Sequence, residues 1–240
     1  MSLPRHRPLL CLVTDRARLR AGTGAGAVTD ALVALVGGAA RGGVDLIQIR
    51  ERDLPARDLL TLVERSLDAA REAGARVIVN DRADVAMAAG AHGVHLRADS
   101  LAAPRVRALA PPGFLVGQSV HGEAEALALA ARGGLDYLML GPLFDTLSKP
   151  QGHSTLGLDL LARVARLVDL PVLAIGGLTH ERLAAIVEKG AAGAAAIGLF
   201  MPMTGEDPGA AAQDAARRAR AAIDAACAAG RSGTLSGDRL

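Results

Sequence analysis

The feature that most constrains the fold is an eightfold alternation of short apolar runs with alanine-rich stretches of helical character. Continuous apolar runs are typical of strands buried on both faces, as in parallel sheets. The predicted strands cover residues 9–14, 44–49, 77–80, 93–96, 114–120, 137–140, 171–175 and 194–198. The predicted helices cover residues 28–40, 55–73, 82–89, 101–109, 122–132, 157–168, 179–189 and 207–229.

Eight successive strand–helix units in 240 residues predict an α/β protein that folds as a single (β/α)8 TIM barrel. The alternative is an open, doubly wound sheet, which usually carries a glycine-rich turn directly after its first strand. Here the first strand ends in Thr14-Asp15-Arg16, and Gly22, Gly24 and Gly26 come later. Their even spacing is not the dinucleotide-binding fingerprint, so the sequence favours the barrel.

The chain is predicted to form one domain over residues 9–229, with an N-terminal tail at 1–8 and a mobile C-terminal tail at 230–240. A net charge of +2 without a basic block disfavours a nucleic-acid partner. The first apolar run is too short for a membrane span and lacks a cleavage-site context, so we expect a cytoplasmic protein without a membrane partner. The sequence leaves a homodimer open.

In a TIM barrel the reacting groups lie at the carboxyl ends of the strands. The second predicted strand ends with Gln48 and Arg50, which share a face, and Arg52 extends that line. One amide and two guanidinium groups on one side predict a clamp for an anion. The alternative is that Arg50 and Glu51 form an ion pair at the barrel end.

Three further strand ends carry polar side chains. Asn80 and Asp81 follow the third strand, where they could hold a metal, bind a polar edge of a substrate or cap a helix. His95, inside the fourth strand, is either a core residue or faces a substrate. Ser119 and His121 share a face at the end of the fifth strand, and His121 can move protons near neutral pH.

The loops after strands six to eight carry candidate anion ligands. The longest loop, 141–152, contains Thr146, Ser148 and Lys149, and its length predicts a lid. Gly176 and Gly177 follow strand seven, and Ile197 and Gly198 end strand eight. Loops at these places form the usual phosphate site of TIM barrels, although the glycines could instead only make tight turns.

Six motifs in this order resemble one family, the thiamine phosphate synthase/TenI superfamily, over roughly residues 9 to 200. They are Gln48-Ile49-Arg50, Val79-Asn80-Asp81, Gly93-Val94-His95-Leu96, Ser119-Val120-His121, Gly141-Pro142-Leu143-Phe144 with Thr146 and Lys149, and Ala174-Ile175-Gly176-Gly177. The resemblance implies a TIM-barrel enzyme of thiamine biosynthesis that acts on a thiazole phosphate.

The family has two main activities. The synthase joins hydroxymethylpyrimidine diphosphate to thiazole phosphate with Mg²⁺ and releases diphosphate. Its pattern has Gln-x-Arg-x-Lys at the second strand and His-Leu-Gly-Gln-x-Asp at the fourth. In this sequence Arg52 stands at the lysine position and Ser100 at that of the second metal-binding aspartate. Asp81 matches the first metal ligand, whereas Asp99 comes one residue early.

These departures resemble the TenI-type thiazole tautomerase, an isomerase without a cofactor or metal, and this is the favoured hypothesis. The resemblance then implies His121, Arg50 and Lys149 as catalytic residues: His121 transfers the proton, and Arg50 and Lys149 hold the carboxylate. The substrate- and phosphate-binding residues would be Gln48, Arg52, Asn80, Ser119, Thr146, Ser148, Gly176, Gly177, Ile197 and Gly198. The alternative is the synthase, with Mg²⁺ on Asp81 and Asp99. A third hypothesis is a non-catalytic sensor of thiamine intermediates.

Overall fold

A computed structural model describes residues 7–19, 25–146 and 155–234, which form a closed barrel of eight parallel strands in chain order. The strands are β1 (Leu9–Val13), β2 (Leu46–Ile49), β3 (Arg76–Asn80), β4 (Gly93–Leu96), β5 (Leu115–Val120), β6 (Tyr137–Leu140), β7 (Val172–Ile175) and β8 (Gly193–Ala196). The barrel closes where β1 pairs with β8, with Leu9 opposite Gly193. The predicted TIM barrel is confirmed, and the open sheet is excluded.

Helices surround the strands. They are α1 (Ala25–Arg41), α2 (Ala56–Ala70), α3 (Ala83–Ala88), α4 (Ala103–Leu109), α5 (Glu123–Arg132), α6 (Gly157–Leu167), α7 (Leu183–Glu188) and α8 (Pro208–Thr234). Short 3₁₀ helices at Arg16–Leu19, His180–Arg182 and Gly198–Phe200 follow β1, β7 and β8. The last helix therefore runs beyond residue 229, into the segment predicted as a tail. Within the described ranges, no helix is both long and apolar enough to cross a membrane.

The barrel has two cores, which explains why its strands are apolar on both faces. One set of side chains packs outward against the helices, among them Leu10, Leu12 and Ile47. The other set fills the interior of the barrel, among them Leu46 and Tyr137. Because successive side chains of a strand point to opposite faces, each strand supplies residues to both cores.

The interior changes character toward the carboxyl ends of the strands. On β2 to β5 the last inward positions carry the polar residues Gln48, Asn80, His95 and Ser119, all of which line the same opening. On the opposite side of the barrel, Val13, Met139, Ile175 and Ile197 line it with apolar side chains. The barrel therefore ends in a mouth that is polar on one half and apolar on the other.

A buried carboxylate joins the loops after β1 and β2. Glu51 accepts hydrogen bonds from Thr14 Oγ1 at 2.7 Å and from the backbone N–H of Arg16 at 3.1 Å, and the Arg16 guanidinium lies 3.3 Å away. The N–H of Arg50 donates to Thr14 Oγ1 at 2.9 Å. The alternative of an Arg50–Glu51 ion pair is therefore wrong: Glu51 is engaged by Arg16, and the network fixes the backbone from which Arg50 projects.

Candidate active site

A cavity of about 610 Å³ opens at the carboxyl ends of the strands. Its wall includes thirteen of the residues that the sequence singled out: Gln48, Arg50, Arg52, Asn80, His95, Asp99, Ser119, His121, Thr146, Gly176, Gly177, Ile197 and Gly198. Asp81 is not among the lining residues. Ser148 and Lys149 fall outside the described residues. Most of the candidate residues are thus brought to one place.

Gln48 and Asn80 form a buried amide pair with unused hydrogen-bonding atoms. Gln48 Nε2 donates to Asn80 Oδ1 at 3.0 Å, and the two residues are only 2% and 8% exposed. Gln48 Oε1 and Asn80 Nδ2 have no hydrogen-bond partner among the described residues. Because leaving buried polar atoms unpaired costs about 1–3 kcal/mol each, they mark a place where a ligand completes the hydrogen bonding.

The unused atoms of this pair offer one acceptor and one donor side by side. If both amides were rotated by half a turn, their roles would exchange, and the pair would still present one donor and one acceptor. A matching ligand must therefore present an N–H or O–H donor next to an acceptor.

His95 links two hydroxyl groups at the inner end of the cavity, where it is one of the lining residues. Its Nδ1 lies 3.0 Å from the hydroxyl of Tyr137, and its Nε2 lies 2.9 Å from Ser119 Oγ. Burial, with a smaller contribution from the Arg50 charge, lowers the pKa of His95 to about 3. Burial also raises the pKa of Tyr137 well above its usual value. The ring is therefore neutral near pH 7, and it orients the Ser119 hydroxyl rather than carrying charge.

The cavity is electropositive. Among the described residues its lining includes Arg18, Arg50, Arg52, Arg97 and Arg182, against the carboxylates of Asp99 and Asp145. Burial lowers the pKa of Arg50, and the neighbouring charges of Arg52 and Arg97 lower it further. An anion bound here would offset this repulsion, so the site fits a phosphate or diphosphate ester.

Three of these arginines were not predicted from the sequence, because they project from loops and 3₁₀ helices rather than from strands: Arg18, Arg97 and Arg182. Arg182 donates to the carbonyl of Gly177 at 2.6 Å, and its guanidinium lies 4.5 Å from the ring centroid of Phe144. The guanidinium of Arg18 lies beside Gly198. The sequence did contain one signal: each of these arginines follows a strand by one to seven residues. Loops that follow the strands of a TIM barrel lie around its mouth.

His121 lies on the rim of the cavity. Its side chain is half exposed, with Nδ1 3.5 Å from Glu125 Oε2, and its backbone N–H donates to the same oxygen at 2.7 Å. Glu125, in the first turn of α5, therefore orients the histidine. A histidine at the rim of a cavity with a carboxylate partner is able to act on a bound ligand.

Gly176 and Gly177 are needed for close packing as well as for exposure of the backbone. Their φ angles are +100° and +64°. A Cβ at Gly176 would lie 2.6 Å from Pro142 Cα, and one at Gly177 would lie 2.8 Å from Phe144 Cβ. Tight turns and close packing therefore require glycine at both positions, and the backbone of both residues also lines the cavity.

The two carboxylates proposed for Mg²⁺ are engaged by other side chains. Ser100 Oγ donates a short hydrogen bond to Asp81 Oδ1. Arg97 reaches both carboxylates, with Nη1 3.7 Å from Asp81 Oδ2 and Nη2 2.7 Å from Asp99 Oδ2. Within the described ranges, no group of three or more His, Cys, Asp and Glu side chains is arranged to hold a metal ion. Mg²⁺ is usually held by one or two carboxylates together with water and substrate phosphates in an octahedral shell, and here both carboxylates already contact the Arg97 guanidinium.

Comparison with known proteins gives a consistent result. The family model described as thiamine monophosphate synthase matches residues 10–200. A thiamine-phosphate synthase from Roseiflexus castenholzii is 43% identical over 194 residues, which cover 81% of each chain. One from Methanoculleus marisnigri is 46% identical over 159 residues, covering 66% of this chain and 75% of that protein.

A solved structure of a thiamine phosphate pyrophosphorylase from Pyrococcus furiosus matches with a TM-score of 0.76 and 30% identity, covering 92% of this chain and 98% of that one. Structures such as a 3-hexulose-6-phosphate synthase, at 21% identity and a TM-score of 0.64, share the fold alone.

Proposed function

We propose that this chain, which belongs to the thiamine monophosphate synthase family and is an enzyme of thiamine biosynthesis, acts as a thiamine-phosphate synthase. The reaction joins hydroxymethylpyrimidine diphosphate to thiazole phosphate and releases diphosphate. This reverses the order of the two hypotheses drawn from the sequence, which placed tautomerisation first. The names of the relatives support the synthase, and so does one feature of the site.

That feature is the buried pair of Gln48 and Asn80. The pyrimidine of thiamine carries an exocyclic amine, a donor, next to a ring nitrogen, an acceptor. This edge complements the unpaired Gln48 Oε1 and Asn80 Nδ2. The tautomerase substrate offers a thiazole nitrogen, a carboxylate and a phosphate, which are all acceptors. The amide pair is therefore the feature of the site that favours the synthase over the tautomerase.

The bond-forming step is a substitution at the methylene carbon of the pyrimidine. The C–O bond to diphosphate breaks, and its electron pair leaves with the diphosphate oxygen. The lone pair of the thiazole nitrogen forms the new C–N bond, which makes the ring a cationic thiazolium. No proton moves in this step, so catalysis depends on orienting the two rings and on stabilising the leaving diphosphate.

The residues of the cavity suit these tasks. Arg50 and Arg52 follow β2 and Arg97 follows β4, which are strands of the polar half of the mouth, and all three line the cavity, where they would stabilise the leaving diphosphate. The apolar wall of Met139 and Ile175 can hold the faces of two rings, and about 610 Å³ accommodates two small heterocycles. The thiazole phosphate would lie toward the loops after β7 and β8, at Gly177 and Gly198.

Tautomerisation remains a second candidate because of His121 and its partner Glu125. In that reaction His121 would relocate the proton, Arg50, Lys149 and Thr146 would hold the carboxylate, and no metal would be required. The two reactions share the thiazole phosphate site and differ in the need for a pyrimidine.

The decisive experiment incubates the purified protein with each substrate set, with Mg²⁺ and with EDTA, and separates the products by chromatography. Thiamine phosphate formed from the two heterocycles supports the synthase. Aromatisation of the thiazole phosphate carboxylate without condensation supports the tautomerase instead. Tight binding of thiamine phosphate with neither turnover would support the sensor and overturn both enzymatic proposals.

A further inference from the structure

We propose that the guanidinium of Arg97 takes the place of the divalent cation, so that this chain binds diphosphate without a metal ion. The inference rests on the proposed synthase function, because diphosphate is the leaving group of that reaction. It departs from the family pattern at the position where that pattern expects two free aspartates.

Arg97 is held between the two carboxylates that were candidates for Mg²⁺. Its Nη1 lies 3.7 Å from Asp81 Oδ2, and its Nη2 lies 2.7 Å from Asp99 Oδ2. A guanidinium has five N–H groups, so two contacts leave donors for a ligand. Arg97 also lines the cavity, and its charge contributes to the lowered pKa of Arg50. The Arg97 guanidinium therefore faces the same cavity as Arg50 and Arg52.

The backbone around Arg97 is fixed on both sides. Its N–H donates to Ser100 Oγ at 2.7 Å, and its carbonyl accepts a hydrogen bond from Gln118 Nε2 at 3.1 Å. Ser100 in turn donates to Asp81. The serine that replaces the second aspartate of the family pattern thus serves two purposes. It withdraws one oxygen of Asp81 from metal binding, and it closes the turn that presents the arginine.

The replacement is chemically sufficient for binding an anion. A guanidinium binds phosphate oxygens with two parallel charge-assisted hydrogen bonds, whereas Mg²⁺ acts through an octahedral shell of oxygen ligands. Arg50, Arg52 and Arg97 line the same cavity, and the charges of Arg52 and Arg97 both contribute to the lowered pKa of Arg50, so the three guanidinium groups are close enough to act on one anion. The three positive charges repel one another when the site is empty, and a bound, multiply charged diphosphate offsets this repulsion.

The test measures binding of inorganic diphosphate by isothermal titration calorimetry in EDTA and in Mg²⁺. For the wild-type chain we expect a Kd in EDTA within about threefold of that in Mg²⁺, since guanidinium groups supply the charge. Arg97→Gly should weaken binding in EDTA by about tenfold or more, the loss expected for a charge-assisted contact. Arg65→Gly is the matched control, because Arg65 has the same 42% side-chain exposure and pairs with one carboxylate, Asp30, away from the cavity.

A second measurement follows metal binding directly. Mn²⁺ is titrated into the protein, and free Mn²⁺ is measured by electron paramagnetic resonance. The wild type should leave the free signal unchanged. The double variant Arg97→Gly/Ser100→Asp, which frees Asp81 and supplies a second carboxylate, should bind one Mn²⁺ per chain, and metal should strengthen its binding of diphosphate by about tenfold or more. Thermal unfolding verifies that the variants fold, and Arg97→Gln replaces the glycine variant if it does not.

The outcomes separate this inference from the proposed function. Wild-type diphosphate binding that requires Mg²⁺, or Mn²⁺ binding by the wild type, overturns the inference while leaving the synthase intact. Metal-independent diphosphate binding without condensation supports the inference and overturns the synthase. If the wild type binds no diphosphate with or without metal, both proposals are wrong.

Discussion

A Cβ atom built at Gly117 of β5 would overlap the phenol ring of Tyr137 on β6. The missing side chain lets the ring lie inside the barrel, where it stacks on His95 with centroids 5.6 Å apart and an interplanar angle of 29°. The Tyr137 hydroxyl then reaches His95 Nδ1, and His95 reaches Ser119 in the cavity. One glycine therefore determines how a buried histidine supports the site.

Gly117→Ala should destabilise the fold by about 1–3 kcal/mol, because the added methyl group overpacks a barrel interior that has no space to yield. Unfolding in urea, followed by circular dichroism, measures the loss. Gly26→Ala is the control, since a Cβ there meets nothing within 4 Å, and alanine improves helix propensity. Equal stability of the wild type and Gly117→Ala would show that Tyr137 is not confined as described.

Stability should fall at acidic pH because His95 is buried as the neutral ring. In the unfolded chain the histidine takes up a proton below about pH 6.5, whereas in the fold its pKa is about 3. The contribution of the neutral His95 ring to the free energy of unfolding is therefore complete above about pH 6.5. It is lost as the pH falls toward 3, at up to about 1.4 kcal/mol per pH unit. Urea unfolding between pH 4.5 and 7.5 should show a steeper pH dependence for the wild type than for His95→Gln. Parallel curves for the two proteins would contradict a depressed pKa.

The fold could be predicted from the sequence because each strand is buried on both faces, which leaves a continuous apolar run between helices. The period of two along a strand also placed Gln48 with Arg50, and Ser119 with His121, on the cavity side. These are consequences of local geometry, so they need no knowledge of distant contacts.

An arginine shortly beyond a strand end can be recognised in the sequence, but the direction of its side chain could not be predicted, because tertiary contacts decide it. Arg97 faces the cavity because Ser100 and Gln118 hold its backbone and two carboxylates hold its guanidinium. Arg182 is placed by a carbonyl and by an aromatic ring. The sequence showed Asp81 and Asp99 as two candidate metal ligands, but it did not show that an arginine lies between them.

Glu51→Gln should cost about 1–3 kcal/mol, because it removes the buried charge that pairs with Arg16 and weakens the link between the first two loops. Glu123→Gln is the control, because Glu123 makes a more exposed ion pair with Arg163 that is worth less than about 1 kcal/mol. Chemical denaturation compares the two. A loss for Glu51→Gln no larger than that of the control would mean that the network does not stabilise the barrel mouth.

Gln48→Met keeps the volume of the side chain but removes the acceptor and the donor to Asn80. If the amide pair forms hydrogen bonds with the pyrimidine, kcat/KM for the pyrimidine diphosphate should fall by about 10- to 100-fold. This is the loss expected when the buried amine and ring nitrogen of the substrate have no hydrogen-bond partner in the protein. Binding of thiazole phosphate, measured by calorimetry, should change little, because that substrate lies toward the loops after β7 and β8. A loss confined to thiazole phosphate would reverse the assignment of the two halves of the cavity.

His121→Asn separates the two enzymatic hypotheses. Condensation of the heterocycles involves no proton transfer in the bond-forming step, so a synthase with His121→Asn should keep its kcat within about threefold of the wild type. If His121 is instead the acid–base group of a tautomerase, the rate of aromatisation should fall by about 10²–10⁴-fold. The kcat for condensation and the rate of thiazole aromatisation are measured on the same preparation, with Glu125→Gln as a companion variant that removes only the carboxylate 3.5 Å from the ring. The opposite result has two parts: the wild type catalyses no condensation, and His121→Asn loses more than about 10²-fold in aromatisation. That result would assign the histidine to proton transfer and the chain to the tautomerases.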